Sequence, residues 1–251
     1  MNPFYTQLKA VLEQRQQQAR RLTLFFRDDD VDEDEASLRK LLKLFLCNKT
    51  PVNLGVIPGR LTNGAIDLLS DYAGTNPGLL ELNQHGWQHL NHECEGRKSE
   101  FGPSRTFDVQ LADIALGQMK MTAAFRPHWF PVFIPPWNRC TAATGQALDQ
   151  LGFRVLSRDR SQPPIMGSRF REIPITLDLY RWSGSPRLRS VEELVNELIE
   201  QIAKEDRIGL MLHHKIMNEE AFSLVDFLLQ TFNRYLIVQC HTFQSLLMMA
   251  E

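Results

Sequence analysis

Short apolar runs alternate with longer stretches of helical period almost from end to end of the chain. Strand-length runs lie at 22–26, 52–57, 79–83, 130–134, 153–156, 172–180, 208–212 and 235–238. Between them, helix-period segments occupy 36–46, 63–73, 107–124, 141–151, 191–204 and 219–232, and a further helix closes the chain. Strand and helix alternating in this way predict βα units and a largely parallel sheet. Seven or eight such units favour a barrel or distorted barrel, with an open doubly wound sheet as the alternative. The first 21 residues read as an amphipathic helix rich in Gln and Arg, packed on a single barrel domain over 22–251. The stretch 158–189, rich in Pro, Ser and Arg, reads as long loops around one extended piece.

Composition narrows the classes. With 43% hydrophobic and 23% charged residues among 251, the chain is an ordinary globular protein. No run approaches the roughly 20 apolar residues of a membrane span. A net charge of −2 argues against a nucleic-acid binder. The eight arginines between Arg154 and Arg189 read mostly as solvated surface. The start lacks an apolar core with a small-residue cleavage site, so the cytoplasm is the expected location. Cys47, Cys94, Cys140 and Cys240 are widely and irregularly spaced, which predicts free thiols.

In parallel βα folds chemistry collects at the carboxyl ends of strands, and here the unusual polar residues collect there too. The first strand runs into Arg27-Asp28-Asp29-Asp30, the third into a segment holding His85, His89 and His92, the fourth into Pro135-Pro136-Trp137-Asn138-Arg139, and a late one into His213-His214. His85 and His89, four apart, suit one helical turn, or the loop entering one, with both rings aimed at one point. Asp32 to Glu35 read as the acidic first turn of a helix. A calcium loop from Asp28 fails, because Glu33 stands where Gly is needed and Arg39 where a bidentate Glu is needed. Two imidazoles and a carboxylate suit Zn²⁺ or a similar divalent ion with an open position, and a neighbouring carboxylate can take a proton from water. Asp28 and Asp29 offer one residue for each task.

These clusters resemble the motifs of the polysaccharide deacetylases, carbohydrate esterase family 4. Phe26-Arg27-Asp28-Asp29-Asp30 is similar to the family's Thr-Phe-Asp-Asp-Gly. The segment from His85 to His89 is similar to His-Ser/Thr-x-x-His, Ile134-Pro135-Pro136-Trp137-Asn138 to Arg-x-Pro-aromatic-Gly, and Leu210-Met211-Leu212-His213 to Leu-x-Leu-His. A looser likeness joins Asp178-Leu179-Tyr180-Arg181-Trp182 to Asp-x-x-Asp-Trp. The motifs come in the family's order over about residues 25–214. The resemblance implies a distorted (β/α)₇ barrel and a hydrolase acting on carbon–nitrogen bonds other than peptide bonds, which removes an N-acetyl or related acyl group from a sugar.

The resemblance also implies roles. Asp28 is then the general base, and Asp29, His85 and His89 the ligands of a divalent metal, Zn²⁺ foremost. His213 is the acid for the leaving amine, with Asp178 orienting a histidine. Trp137, Asn138 and Arg139 line the substrate and the oxyanion, while Asp30, His92 and His214 are alternates to their neighbours. Gly86 stands where a hydroxyl is usual, Asp30 where Gly is usual, and Ile134 where an arginine pairs with the catalytic carboxylate; Arg27 or Arg139 offers that charge instead. These departures mark a divergent branch. They leave two other readings, a hydrolase of a non-sugar amide and an inactive ligand-binding barrel. The expected partner is a small molecule or oligosaccharide, with a homo-oligomer left open.

Overall fold

The computed structural model describes residues 3–249. In chain order its elements are α1 (Pro3–Gln17), β1 (Leu22–Val31), α2 (Ala36–Cys47), β2 (Val52–Val56), α3 (Asn63–Thr75), β3 (Leu80–His85), α4 (Phe107–Phe125), β4 (Trp129–Ile134), α5 (Ala142–Gln150), β5 (Val155–Leu156), β6 (Arg171–Glu172) and β7 (Leu177–Asp178). There follow β8 (Tyr180–Arg181), β9 (Arg187–Leu188), α6 (Val191–Lys204), β10 (Arg207–Leu212), α7 (Glu219–Phe232), β11 (Val238–Cys240) and α8 (Phe243–Met248).

Every pairing in the main sheet is parallel, in the order β6-β5-β4-β3-β2-β1-β10-β7, with β11 also on β1. The two ends of that order belong to one segment. Residues 171–178 pair with β5 through their first half and with β10 through their second, as Ile173 N–H donates to Leu156 O and Thr176 N–H to Gly209 O. The sheet thereby closes, and the fold is a distorted (β/α)₇ barrel.

Alternation along the strands sorts the side chains into two layers. On β1, Leu24 and Phe26 face outward into the helix-covered core, together with Leu54, Leu210 and the apolar faces of α2, α6 and α7. Phe25 faces inward, with Val132, Ile134, Val155 and Met211. The amino end of the barrel is stoppered by α8, whose Phe243, Leu246 and Leu247 join that inner cluster. Buried polar groups fix the stopper: Asn53 Oδ1 accepts Phe243 N–H and Glu81 Oε2 accepts Gln244 N–H, both at 2.9 Å. Such bonds satisfy the free N–H groups that open any helix. The amphipathic α1 lies against α6, burying Leu8 and Leu12, and Arg15 donates to Ile202 O at 2.5 Å.

The strand ends differ from the pattern-based expectation. β1 continues five residues beyond its apolar run to Val31, and β3 continues through His85. Polar side chains at the carboxyl rim meet one another inside the barrel, so polarity there marks the site and not the end of pairing. None of the described helices is long and apolar enough to cross a membrane.

Candidate metal centre

The site is built at the carboxyl rim, around the end of β1. Strict alternation puts Arg27 and Asp29 on the inner face and Asp28 on the outer one. The β1–β2 register then shifts between Asp28 and Val31, and Asp30 takes a left-handed backbone at φ 71°. A bulge of this kind re-aims one side chain. Its effect here is that two consecutive carboxylates, Asp29 and Asp30, serve the same inner site, which an unbroken strand forbids.

Asp30 meets the histidines. Ligand atoms of Asp30, His85 and His89 all lie within 4.8 Å of one another, and Asp30 Oδ1 is 3.2 Å from Nε2 of both rings. His85 stands on the last residue of β3, and its Nδ1–H donates to Ile134 O at 3.0 Å. That bond makes Nδ1 a donor and leaves Nε2 aimed at Asp30. The space between them takes a cation, either a proton on the ring or a metal ion, and two imidazoles with one carboxylate are a donor set that fits a divalent metal. The two histidines are not on a helical turn. His85 ends a strand, Gly86 turns the chain at φ 60°, and His89 returns its ring from a loop at φ 56°.

The charges are strongly coupled. Burial alone would raise Asp30, but its bond to His85 and the charges of His85, His89 and His213 hold it far below the usual carboxylate range. Burial, and then the charge of His85, push His89 down to about 4. Burial also acts to depress His85, yet the carboxylates of Asp29 and Asp30 carry it upward. Asp30 and His85 are thus held toward their charged forms and His89 toward its neutral one.

Asp29 sits beside this trio without joining it. Its Oδ2 accepts a bond from Arg27 Nη2 at 2.8 Å, and its buried Oδ1 has no hydrogen-bond partner. A Cβ on Gly55 would stand 3.0 Å from Asp29 Oδ1 and 3.3 Å from His85 Cβ, so any side chain there would press on the pair. Arg27 also donates to Ser157 O at 3.0 Å and to Asn138 Oδ1 at 2.7 Å. Arg139 does not reach the carboxylates and donates to Lys98 O at 2.8 Å.

Asp28, expected as the general base, is buried on the outer face against His214. Its Oδ2 is 2.5 Å from His214 Nδ1, and its Oδ1 accepts the His214 N–H at 2.8 Å. The period of the strand carries it away from the histidines, so the β1 carboxylates at the inner site are Asp29 and Asp30. His214 is thus a structural partner of Asp28. His92 is exposed, joined to the loop through its backbone N–H to Ser99 O.

Across the rim, His213 directly follows β10, with a buried Nδ1 that has no hydrogen-bond partner, and Trp182 packs edge-on to its ring at 4.6 Å between centroids. Asp178 neighbours them, but its oxygens accept from Tyr180 N–H at 2.9 Å and Trp182 Nε1 at 2.6 Å, not from His213. Burial raises the Asp178 carboxyl against the opposing charge of His213. Trp137 and Asn138 both adopt left-handed backbone, at φ 55° and 58°, a strained choice for such residues. The Trp137 ring rests 4.4 Å from that of His89. Asn138 N–H is committed to Pro135 O at 2.9 Å.

Neither a protein-family model nor a curated protein sequence matches the chain. Solved structures do. A family 4 acetyl xylan esterase from Clostridium thermocellum, in complex with a cobalt ion, superposes with a TM-score of 0.63 over 90% of this chain and 91% of its own, at 13% identity. The chain has the fold of the family 4 carbohydrate esterases. A Mycobacterium smegmatis protein assigned to the polysaccharide deacetylases shares it at a TM-score of 0.69, 13% identity and coverage of 92% and 90%. So does a family 4 pseudoenzyme from Bacillus anthracis, at 0.61, 12% identity and coverage of 90% and 66%. At such identities the likeness is one of fold, and it agrees with a divergent branch.

Two of the site's charged groups were not assigned from sequence alone. Arg27 is one of two candidates there, and alternation would have placed it beside Asp29. The Asp30 ligand position depends on a bulge, for which β1 carries no glycine signal.

Proposed function

We propose that this chain is a metal-dependent hydrolase that removes an N-acetyl or related acyl group from a sugar or glycan. The observation that carries the reading is the meeting of Asp30, His85 and His89 beside a buried Asp29 that keeps one oxygen without a hydrogen-bond partner and whose charge acts on His85. Asp30, His85 and His89 would hold the metal, and the two-imidazole, one-carboxylate set suits Zn²⁺ with an open position. A divalent ion bound there supplies Lewis-acid stabilisation of developing negative charge and lowers the pKa of a water.

The chain's own residues divide the remaining work, one position later in β1 than the motif resemblance implies. Asp29 Oδ1 takes the proton of the attacking water, while Arg27 holds Oδ2 and fixes the carboxylate's orientation. Attack on the acyl carbon yields a tetrahedral oxyanion. Among the motif-three N–H groups, Pro136 has none and that of Asn138 is occupied, so Trp137 is the donor offered to the oxyanion. His213 gives its proton to the amine nitrogen as the carbon–nitrogen bond breaks, releasing a carboxylate and a free amine. Trp182, whose indole N–H donates to Asp178, packs against that ring.

The fold's occurrence in a pseudoenzyme lends weight to a binding role only if the ligand set is broken. Here the donors are all present, and the counter-charge missing at Ile134 is replaced by Arg27. Acetate release from N-acetylglucosamine oligomers, measured with Zn²⁺ or Co²⁺ supplied, tests the reading. Equal release by wild type and His89→Ala, or none from any acetylated sugar by the metal-loaded wild type, would overturn it; release from small amides alone would favour the non-sugar substrate.

A further inference from the structure

The loop that joins His85 to His89 is held by a carboxylate outside the ligand set. Glu100, fully buried in the segment between β3 and α4, accepts the Gln88 N–H through Oε1 at 2.7 Å and the Trp87 N–H through Oε2 at 3.1 Å. The chain folds around this group. A Cβ at Gly86 would stand 2.1 Å from Glu100 Oε2 and 2.6 Å from Pro136 Cγ, so the carboxylate fills the space a side chain would need there. Glu100 is itself tethered, since Arg105 donates to its carbonyl at 3.2 Å and is fixed by Asp113 at 2.6 Å.

The two histidines differ in their support. The ring of His85 is oriented by Ile134 O and its backbone by the β3 ladder. His89 lies on no strand: it returns from a left-handed loop, its ring resting on Trp137, and the peptides immediately before it are those bound to Glu100. Without that carboxylate, two N–H donors would be left in a closed space, and the turn would have to open to reach water.

We infer that Glu100 is the positioning residue of the metal centre, which by accepting both N–H groups fixes the turn that brings His89 to Asp30 and His85. The inference rests on the metal-centre reading above. Partners that orient metal ligands typically contribute about 10–100-fold to metal affinity. Glu100 does so through the backbone between two ligands.

The test is Co²⁺ titration of the full chain, as wild type, Glu100→Ala and Glu100→Gln, with the melting temperature of each metal-free protein recorded beside it. Both variants are expected to bind Co²⁺ about 10–100-fold more weakly than wild type. Gln is expected to fail because its amide can accept one N–H but turns a donor toward the other. It keeps the shape of Glu, so it carries the test if the Ala variant does not fold. A merely structural role would lower the melting temperature and leave the Co²⁺ affinity of the folded protein unchanged; that result overturns the inference while the metal centre stands. Wild type that takes up no Co²⁺ overturns the metal centre itself.

Discussion

Arg27 and Asp29 meet inside the barrel, Nη2 to Oδ2 at 2.8 Å, from the same face of one strand and with both side chains buried. The motif resemblance puts this positive charge at the end of β4. Ile134 occupies that place and gives only apolar packing and the carbonyl that orients His85. In the proposed site the counter-charge comes from β1, the strand that carries the carboxylate, and not from β4.

Removing one member of a buried ion pair strands the other, at a cost of about 3–5 kcal/mol. Arg27→Met is therefore expected to lower the unfolding free energy by about that amount in urea titrations, and to reduce kcat/KM through kcat. Wild-type stability in this variant would show that Asp29 does not depend on Arg27.

Three neighbouring substitutions separate the two faces of β1. Asp29→Asn is expected to retain metal and lose about 10²–10⁴-fold in acetate release, the range of general-base catalysis. Asp30→Asn is expected to lose metal, read by elemental analysis after dialysis. Asp28→Asn should keep both metal and activity at moderate temperature while losing about 1.5–3 kcal/mol of stability, because it weakens charged hydrogen bonds in the outer layer. Loss of chemistry in Asp28→Asn with Asp29→Asn intact would restore the register of the motif resemblance.

The Asp28–His214 pair sets a pH dependence. Burial acts to depress His214, but the Asp28 and Glu35 carboxylates outweigh it and raise its pKa. A raised histidine stabilises the fold fully below its unfolded value of 6.5, and that stabilisation is lost as pH rises through the folded value. Unfolding free energy is thus expected to fall above pH 6.5, with a limiting slope on the order of 1.4 kcal/mol per pH unit for one proton. Replacing His214 by Asn should flatten this part of the profile; an unchanged slope would assign it to other groups.

Metal should also appear as thermal stability. A ligand present at about 100 times its Kd adds about 2.7 kcal/mol to the folded state. Addition of Zn²⁺ to the metal-free chain is expected to raise its melting temperature, and a chelator to reverse this, while His89→Ala shows no response. A response of the same size in His89→Ala would place the bound ion elsewhere.

The βα alternation and the polar strand ends were legible in the sequence because both follow from simple periods and from where parallel sheets keep their polar groups. His85, His89 and His213 were legible for the same reason. The roles within Asp28-Asp29-Asp30 were not, since the break in alternation at Asp30 comes from a backbone irregularity that no glycine announces. Glu100 was invisible, because a carboxylate that binds peptide N–H groups has no partner residue to betray it. The closing segment 171–178 read as one strand among loops, and its service to two neighbours appears only in three dimensions.

The outer clasp between Asp28 and His214 acts on the residues next to each of them. Asp28 precedes Asp29 on β1, and the His214 N–H that it grips belongs to the peptide bond leaving His213. The proposed proton acceptor and proton donor are consequently mounted on two strands bolted together one residue away from the chemistry. Their spacing is a gauge set in the dry outer layer, where changes of substrate-facing loops do not reach it.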